Sequence, residues 1–322
     1  MRFVKMILAV AVLAGWTGAG WAVCDNPGLI TVDNVTVTSA TDYDPFSDAN
    51  LRINASVRIS NGAATVCDNV QLAFVFATGA PRLSAAGSPD WMDVQVTAKD
   101  GNTNLIAASL TNATQRIMVG TVAAKSGGAN GEAMVDFDVL IAPASAANGV
   151  VADGAYSLSS SVIDMVATSA DVDSGDTRLG TKGDLGVSAA VAKLLDINLD
   201  ATNYNSGNLA AYAMDLGTLS NGVTGSVGVQ LRANVPHRLE LSSANGGNMV
   251  GPDPATTYSV PYTVSIGGLS GASLAATQTL SYAEKTLRNG TALTLQVTIG
   301  DTGSVRAGIY KDTINLTVSG NP

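Results

Sequence analysis

Apolar and polar residues alternate in short runs along most of the chain. Such runs fall at residues 29–38, 51–59, 70–77, 92–98, 116–123, 133–141 and 155–166, and again at 194–199, 213–216, 225–233, 238–242, 260–266, 278–282, 293–299 and 309–318. A period of two is the pattern of strands that bury one face. No amphipathic helix at i, i+3, i+4 spacing competes with them. Gly101, Gly120, Gly127, Gly128, Gly131, Gly149 and Gly154 punctuate the first set, as turn residues do between antiparallel strands. The expected fold class is therefore all-β, built as antiparallel sandwiches.

The alternation lapses over residues 170–184, which read as a long loop or connection, and then restarts. Two domains are expected on either side, residues 23–184 and 185–322, with residues 1–22 set apart as described below. The halves faintly echo each other: Gly154 stands two residues before Tyr156, and Gly308 two before Tyr310, each pair late in its half and opening a strand. In the last run, Tyr310, Ile314, Leu316 and Val318 point to one face and Lys311, Thr313, Asn315 and Thr317 to the other. Only four residues follow it, so the second sandwich is expected to lack its closing strand and to leave an open edge. An exposed apolar edge invites aggregation unless another strand pairs with it.

The N-terminus supports export. Arg2 and Lys5 precede an apolar run over residues 6–14, and Gly20, Trp21 and Ala22 place small residues at a cleavage site before Val23. The apolar run is shorter than the roughly 20 residues that span a bilayer. Removal of this signal peptide leaves 15 basic against 26 acidic residues, a net charge of −11. That balance argues against nucleic acid as a partner. Cys24 and Cys67 both remain, and in an oxidising compartment they are expected to pair.

Catalytic constellations are nearly absent. His237 is the single histidine, between Pro236 and Arg238, and reads as a solvated turn residue rather than part of a triad. Asp171, Asp173 and Asp176 offer oxygen ligands but lack the acidic twelfth-position ligand of a calcium-binding EF-hand, so a solvated acidic loop is expected there. Asp42, Asp44 and Asp48 are read in the same way. No metal, cofactor or enzymatic activity is expected. The best candidates for an exposed sticky patch are Leu83, Trp91 and Met92, which lie among turn formers, with Val150 and Val151 as a second loop. The alternative for Trp91 and Met92 is that they begin a strand and pack inward.

Ala307-Gly308-Ile309-Tyr310-Lys311-Asp312-Thr313-Ile314 closes the second half, preceded by Ser242 to Met249 and by Val260-Pro261-Tyr262-Thr263-Val264. In that order these motifs resemble the spore coat protein U domain family, which is similar to subunits of archaic, Csu-type chaperone-usher pili. Asp42-Tyr43-Asp44-Pro45-Phe46, and the Cys24 to Cys67 spacing, look like the start of such a domain; the second half departs from the pattern by lacking cysteines. The resemblance implies immunoglobulin-like sandwiches, the second incomplete, held by a periplasmic chaperone, exported by an outer-membrane usher and completed by the N-terminal strand of a neighbouring subunit. With Cys24 next to the mature N-terminus at Val23, almost no donor segment is expected, which suits the tip of a fimbrium. The chain is thus expected to be a secreted, cell-surface, non-enzymatic tip adhesin. Its first domain would bind an abiotic or host surface in biofilm formation, and Tyr310, Ile314, Leu316 and Val318 would line the donor-strand groove. The alternative is a secreted, self-assembling coat or matrix protein.

Overall fold

The computed structural model describes residue 24 and residues 27–38, 43–142, 150–158, 163–169, 178–199, 210–251, 258–303 and 305–321. The signal peptide and Asp171, Asp173 and Asp176 lie outside these residues, as does Asp42. Strands in the first part are β1 (Ile30–Val32), β2 (Val35–Thr38), β3 (Leu51–Asn61), β4 (Cys67–Val75), β5 (Arg82–Ser84), β6 (Trp91–Ala98), β7 (Ile106–Ala107), β8 (Ile117–Val122), β9 (Gly131–Ile141), β10 (Gly154–Ser157), β11 (Ile163–Ser169), β12 (Gly180–Thr181) and β13 (Gly183–Val191). The second part holds β14 (Leu195–Leu199), β15 (Thr224–Ala233), β16 (His237–Ser243), β17 (Asn248–Val250), β18 (Ser259–Ile266), β19 (Leu269–Ser273), β20 (Gln278–Tyr282), β21 (Thr291–Ile299) and β22 (Ile314–Gly320). Among the described residues there is no α-helix. The class is all-β, with mainly antiparallel sheets.

In the first body a single hydrogen-bonded path, β12-β1-β3-β9-β6-β5-β10-β13-β11-β4-β7, curls around one apolar core, with β2 joined to β13 and β8 to β4. Phe74, Phe137, Tyr156, Leu72, Leu185 and Met165 fill that core. Most pairings are antiparallel, but β1–β12, β2–β13 and β4–β7 are parallel. The first two arise because the chain, after a full circuit, returns alongside its own opening strands.

β13 is the strand that closes this body. Its inward residues Leu185, Val187, Ala189 and Val191 are buried. It lies between β11 and β10 on one side and β2 on the other. It starts at Gly183, where a Cβ would fall 2.2 Å from the Asp33 carbonyl oxygen, so only glycine lets the backbones pass this closely. The domain boundary therefore does not fall at 184/185, as the lapse in alternation suggested. Residues 185–191 belong to the first core, and the chain crosses to the second body between Val191 and Leu195.

The second body packs a six-stranded sheet, β14-β15-β21-β18-β17 with β19 on β18, against a three-stranded sheet, β20-β16-β22. Val229, Leu239, Leu241, Val260, Val264 and Val297 form the centre of its core. Residues 213–216 take no strand: Met214 and Leu216 instead cover Gly225 at the start of β15, within 3 Å of where its Cβ would stand. The two bodies touch at one seam. Lys285 pairs with the buried Asp90 carboxylate, Arg288 Nη1 lies 2.8 Å from Asp48 Oδ1, and the Arg232 guanidinium sits 4.1 Å over the Phe46 ring.

Candidate functional site: the free edge of the second sandwich

β22 is bonded to β16 from Ser243↔Ile314 to His237↔Gly320, and along its other edge no described residue pairs with it. On the facing sheet, β14 pairs with β15 and, among the described residues, with no other strand. Both strands thus present free backbone groups at the same open side of the sandwich. The side chains agree with the backbone. Ile314, Leu316 and Val318 alternate toward the core, as do Ile197 and Leu199 of β14, yet all five stay half-buried. The result is a shallow apolar groove floored by residues that one more strand would seal.

The run expected to be one strand from 309 to 318 is regular only from Ile314. Tyr310 lies ahead of it, its hydroxyl donating to the Arg306 carbonyl at 2.7 Å and its ring against Gly251. Lys311 forms an isolated bridge to Val250. Between bridge and strand stands Asp312, which fixes the edge in place. Its carboxylate accepts the Tyr262 hydroxyl at 2.6 Å, the Ser243 hydroxyl at 2.5 Å and the Asn245 amide side chain at 2.9 Å. Tyr262 belongs to β18 of the opposite sheet, so these bonds tie the head of β22 to both layers. Burial, then the adjacent Asp312 carboxylate, push the Tyr262 phenol well above its ordinary value, so it stays a proton donor.

The proposed surface patch on the first body is corrected by burial. Leu83 and Met92 are fully buried, paired across the β5–β6 hairpin. Trp91 is half-buried beneath the Arg82 guanidinium, 4.7 Å from its ring centre. Val150 and Val151 are buried as well. Turn formers around an apolar residue do not expose it when the turn folds back over the core. This loop is also part of the seam, since Asp90 accepts both Lys285 and the Ala152 amide. The exposed apolar residues of the opposite pole are Leu29 and Val66. There Gly62 donates to the Leu29 carbonyl and Lys125 to the Ala63 carbonyl, knitting three loops together beside the Cys24–Cys67 disulfide.

His237 is likewise not a solvated turn residue. It opens β16, is buried, and stacks on Tyr282 with ring centres 4.9 Å apart. Its Nδ1 donates to the Val235 carbonyl at 3.0 Å, and no partner meets Nε2. Asp44 caps its own turn through the Phe46 amide, and Asp48 pairs with Arg288. The sequence reading missed Asp312, the Asp90–Lys285 contact and β13. For β13 a signal existed in Leu185, Val187, Ala189 and Val191, which alternate directly after the acidic loop.

No protein-family model and no curated protein matches the chain. Solved structures of low similarity do. One is a chain of the CsuC-CsuE chaperone-tip adhesion subunit pre-assembly complex of archaic Csu pili from Acinetobacter baumannii, with 14% identity over 90% of this chain and 99% of that one and a TM-score of 0.40. The CupB6 tip adhesin of Pseudomonas aeruginosa matches at 9% identity over 90% and 94%, with a TM-score of 0.37. CfaE, the adhesive subunit of the CFA/I fimbria of enterotoxigenic Escherichia coli, matches at 11% identity over 91% and 92%, with a TM-score of 0.33. Likeness at this level assigns neither partner nor role.

Proposed function

We propose that the chain is a non-enzymatic subunit of a chaperone-usher fimbrium, placed at its tip, whose second sandwich is a spore-coat-U-like domain that accepts a strand from the neighbouring subunit. The observation that carries this reading is the free edge of β22 beside a half-buried apolar floor, in a molecule whose first sandwich closes the corresponding side with β13. One closed sandwich and one open groove suit a subunit that accepts a strand through its second sandwich. A periplasmic chaperone would occupy the groove before assembly, and an outer-membrane usher would exchange it for the neighbour's strand. The closed sandwich would face outward and attach the cell to a surface. Its pole at Leu29 and Val66 is the exposed apolar candidate for that contact.

The test is Leu316→Asp, which sets a charge on the groove floor without touching the first core. The expected result is a chain that is made and keeps its disulfide but is lost from the surface fibre. A variant that assembles like the wild type sinks the proposal. Fibres formed by the purified chain alone, with no chaperone, usher or second subunit, would point instead to a self-assembling matrix protein.

A further inference from the structure

We infer that the end of the second sandwich opposite the seam, around Val250, Tyr258, Ile309 and Tyr310, is the docking surface for the folded body of the neighbour whose strand fills the groove. This rests on the strand-acceptor reading above and adds a second contact to it. Direction carries the argument. In the first sandwich the closing strand β13 runs antiparallel to β11, with Ile163 opposite Leu185 and Met165 opposite Gly183. A strand added to β22 in the same sense runs from the Gly320 end toward the Ile314 end. If that strand is the N-terminal segment of a neighbour, the rest of the neighbour emerges beside Ile314.

The two ends of β22 are distinct. Gly320 lies at the seam end, next to His237, Tyr282 and Lys193, on the same side as the contacts of Lys285 and Arg288 with the first sandwich. Ile314 lies at the far end, with Ser243, Val250 and Pro261. Here the surface changes character. Ile309 is 69% exposed, the most exposed large apolar side chain of the described residues, and Val250 is 41% exposed. Paired amide–carbonyl bonds between Val250 and Lys311 hold the two segments together.

Tyr258 and Tyr310 flank this patch half-buried, and Arg306 lies 5.3 Å over the Tyr258 ring. The exposed cations Arg306 and Lys311 border it, while the Asp301 carboxylate is turned to Asn221 and the Gly303 amide and the Asp312 carboxylate to Tyr262, Ser243 and Asn245. The corner thus sets two exposed cations beside an apolar centre. It fits a partner face that is apolar at its centre and carries carboxylates at its rim. The patch is continuous with the groove mouth through Tyr310, so one partner reaches both.

The experiment places a photo-reactive benzoylphenylalanine at Leu316, at Ile309 or at Met118 of the full chain in fibre-forming cells of the parent organism. Cross-linked peptides are then read by mass spectrometry. The expected result is that Leu316 captures an extended N-terminal segment of one protein, Ile309 captures a folded segment of that same protein, and the exposed Met118 on the first sandwich captures neither. Capture at Leu316 without capture at Ile309 overturns the docking surface and leaves the strand-acceptor reading standing. No capture at Leu316 overturns both. Val250→Asp with Ile309→Asp gives a second readout. The isolated variant should unfold as the wild type does, and its complex with the captured protein should dissociate at least tenfold faster; an unchanged lifetime overturns the inference.

Discussion

The two sandwiches differ most in one strand. In the first, β11 is flanked by β4 and β13, and Leu72, Phe74, Ile163, Met165, Leu185 and Val187 of these strands are buried. In the second, β22 has β16 on one side and no described residue paired on the other, and its apolar residues are half-covered. The same alternation therefore means different things in the two places. In β13 it reports a face already sealed. In β22 it reports a face that no described residue seals.

The largest test of this contrast is removal of the Cys24–Cys67 bridge, which exists only in the first sandwich. It closes a loop of sequence separation 43, so its loss should cost about 4 kcal/mol in the chain-entropy model. Cys24→Ser with Cys67→Ser should lower the first unfolding transition in calorimetry and leave the second where it was. A shift of both transitions together would show that the seam couples the two bodies into one cooperative unit.

Equivalent truncations on the two strands come next. Leu185→Ala removes a fully buried side chain from a sealed core and should cost about 3 kcal/mol by urea unfolding. Leu316→Ala removes one that is half in water, and should cost about 1 kcal/mol in the isolated chain. With the partner strand in place the Leu316 cost should rise toward that of Leu185. Equal costs in the isolated chain would mean that the groove is already sealed.

Third is the anchor of the free edge. Asp312→Ala leaves the Tyr262 hydroxyl and Ser243 without their acceptor and should cost about 2 kcal/mol. Hydrogen exchange should show the loss first at the head of β22, with the first sandwich unchanged. Protection lost evenly over the whole second body would make Asp312 a general core residue rather than the anchor of this edge.

How far the sequence showed this contrast depended on whether the pattern was local. Strand positions were legible because alternation is a property of neighbours in sequence: the expected 278–282 strand is β20. Which apolar residues stay exposed was not, because the β5–β6 hairpin that pairs Leu83 with Met92 is itself held by β10 and β9, strands far along the chain. The placement of β13 was missed for the same reason. Its partners β2 and β11 come from opposite ends of the first body, and an acidic loop separated it from the runs already recognised. Alternation alone placed Ile314, Leu316 and Val318 on one face, while the groove role expected of them and of Tyr310 came from the family resemblance. Asp312 was not, since its partners Ser243 and Tyr262 lie 69 and 50 residues away.

The smallest effect separates the sandwiches by pH. His237 belongs only to the second, and burial pushes its imidazole below its ordinary value of about 6.5, against a lesser upward pull from the Val235 carbonyl. The folded state then resists protonation that the unfolded chain accepts. Stability of the second body is therefore full above about pH 6.5 and declines as pH falls from there through the lower folded value, with a slope of at most about 1.4 kcal/mol per pH unit. The first body has a buried acid instead. Burial pushes Asp138 up, but Arg52, the Asp100 amide and Lys99 together outweigh it and hold the carboxyl below its ordinary value, so its contribution disappears only at more acid pH. Urea midpoints between pH 7.5 and 5 should thus fall for the second transition more than for the first. His237→Phe keeps a ring against Tyr282 and should flatten that dependence. If the variant retains the wild-type slope, the second sandwich titrates through some other group and the distinction in pH response disappears.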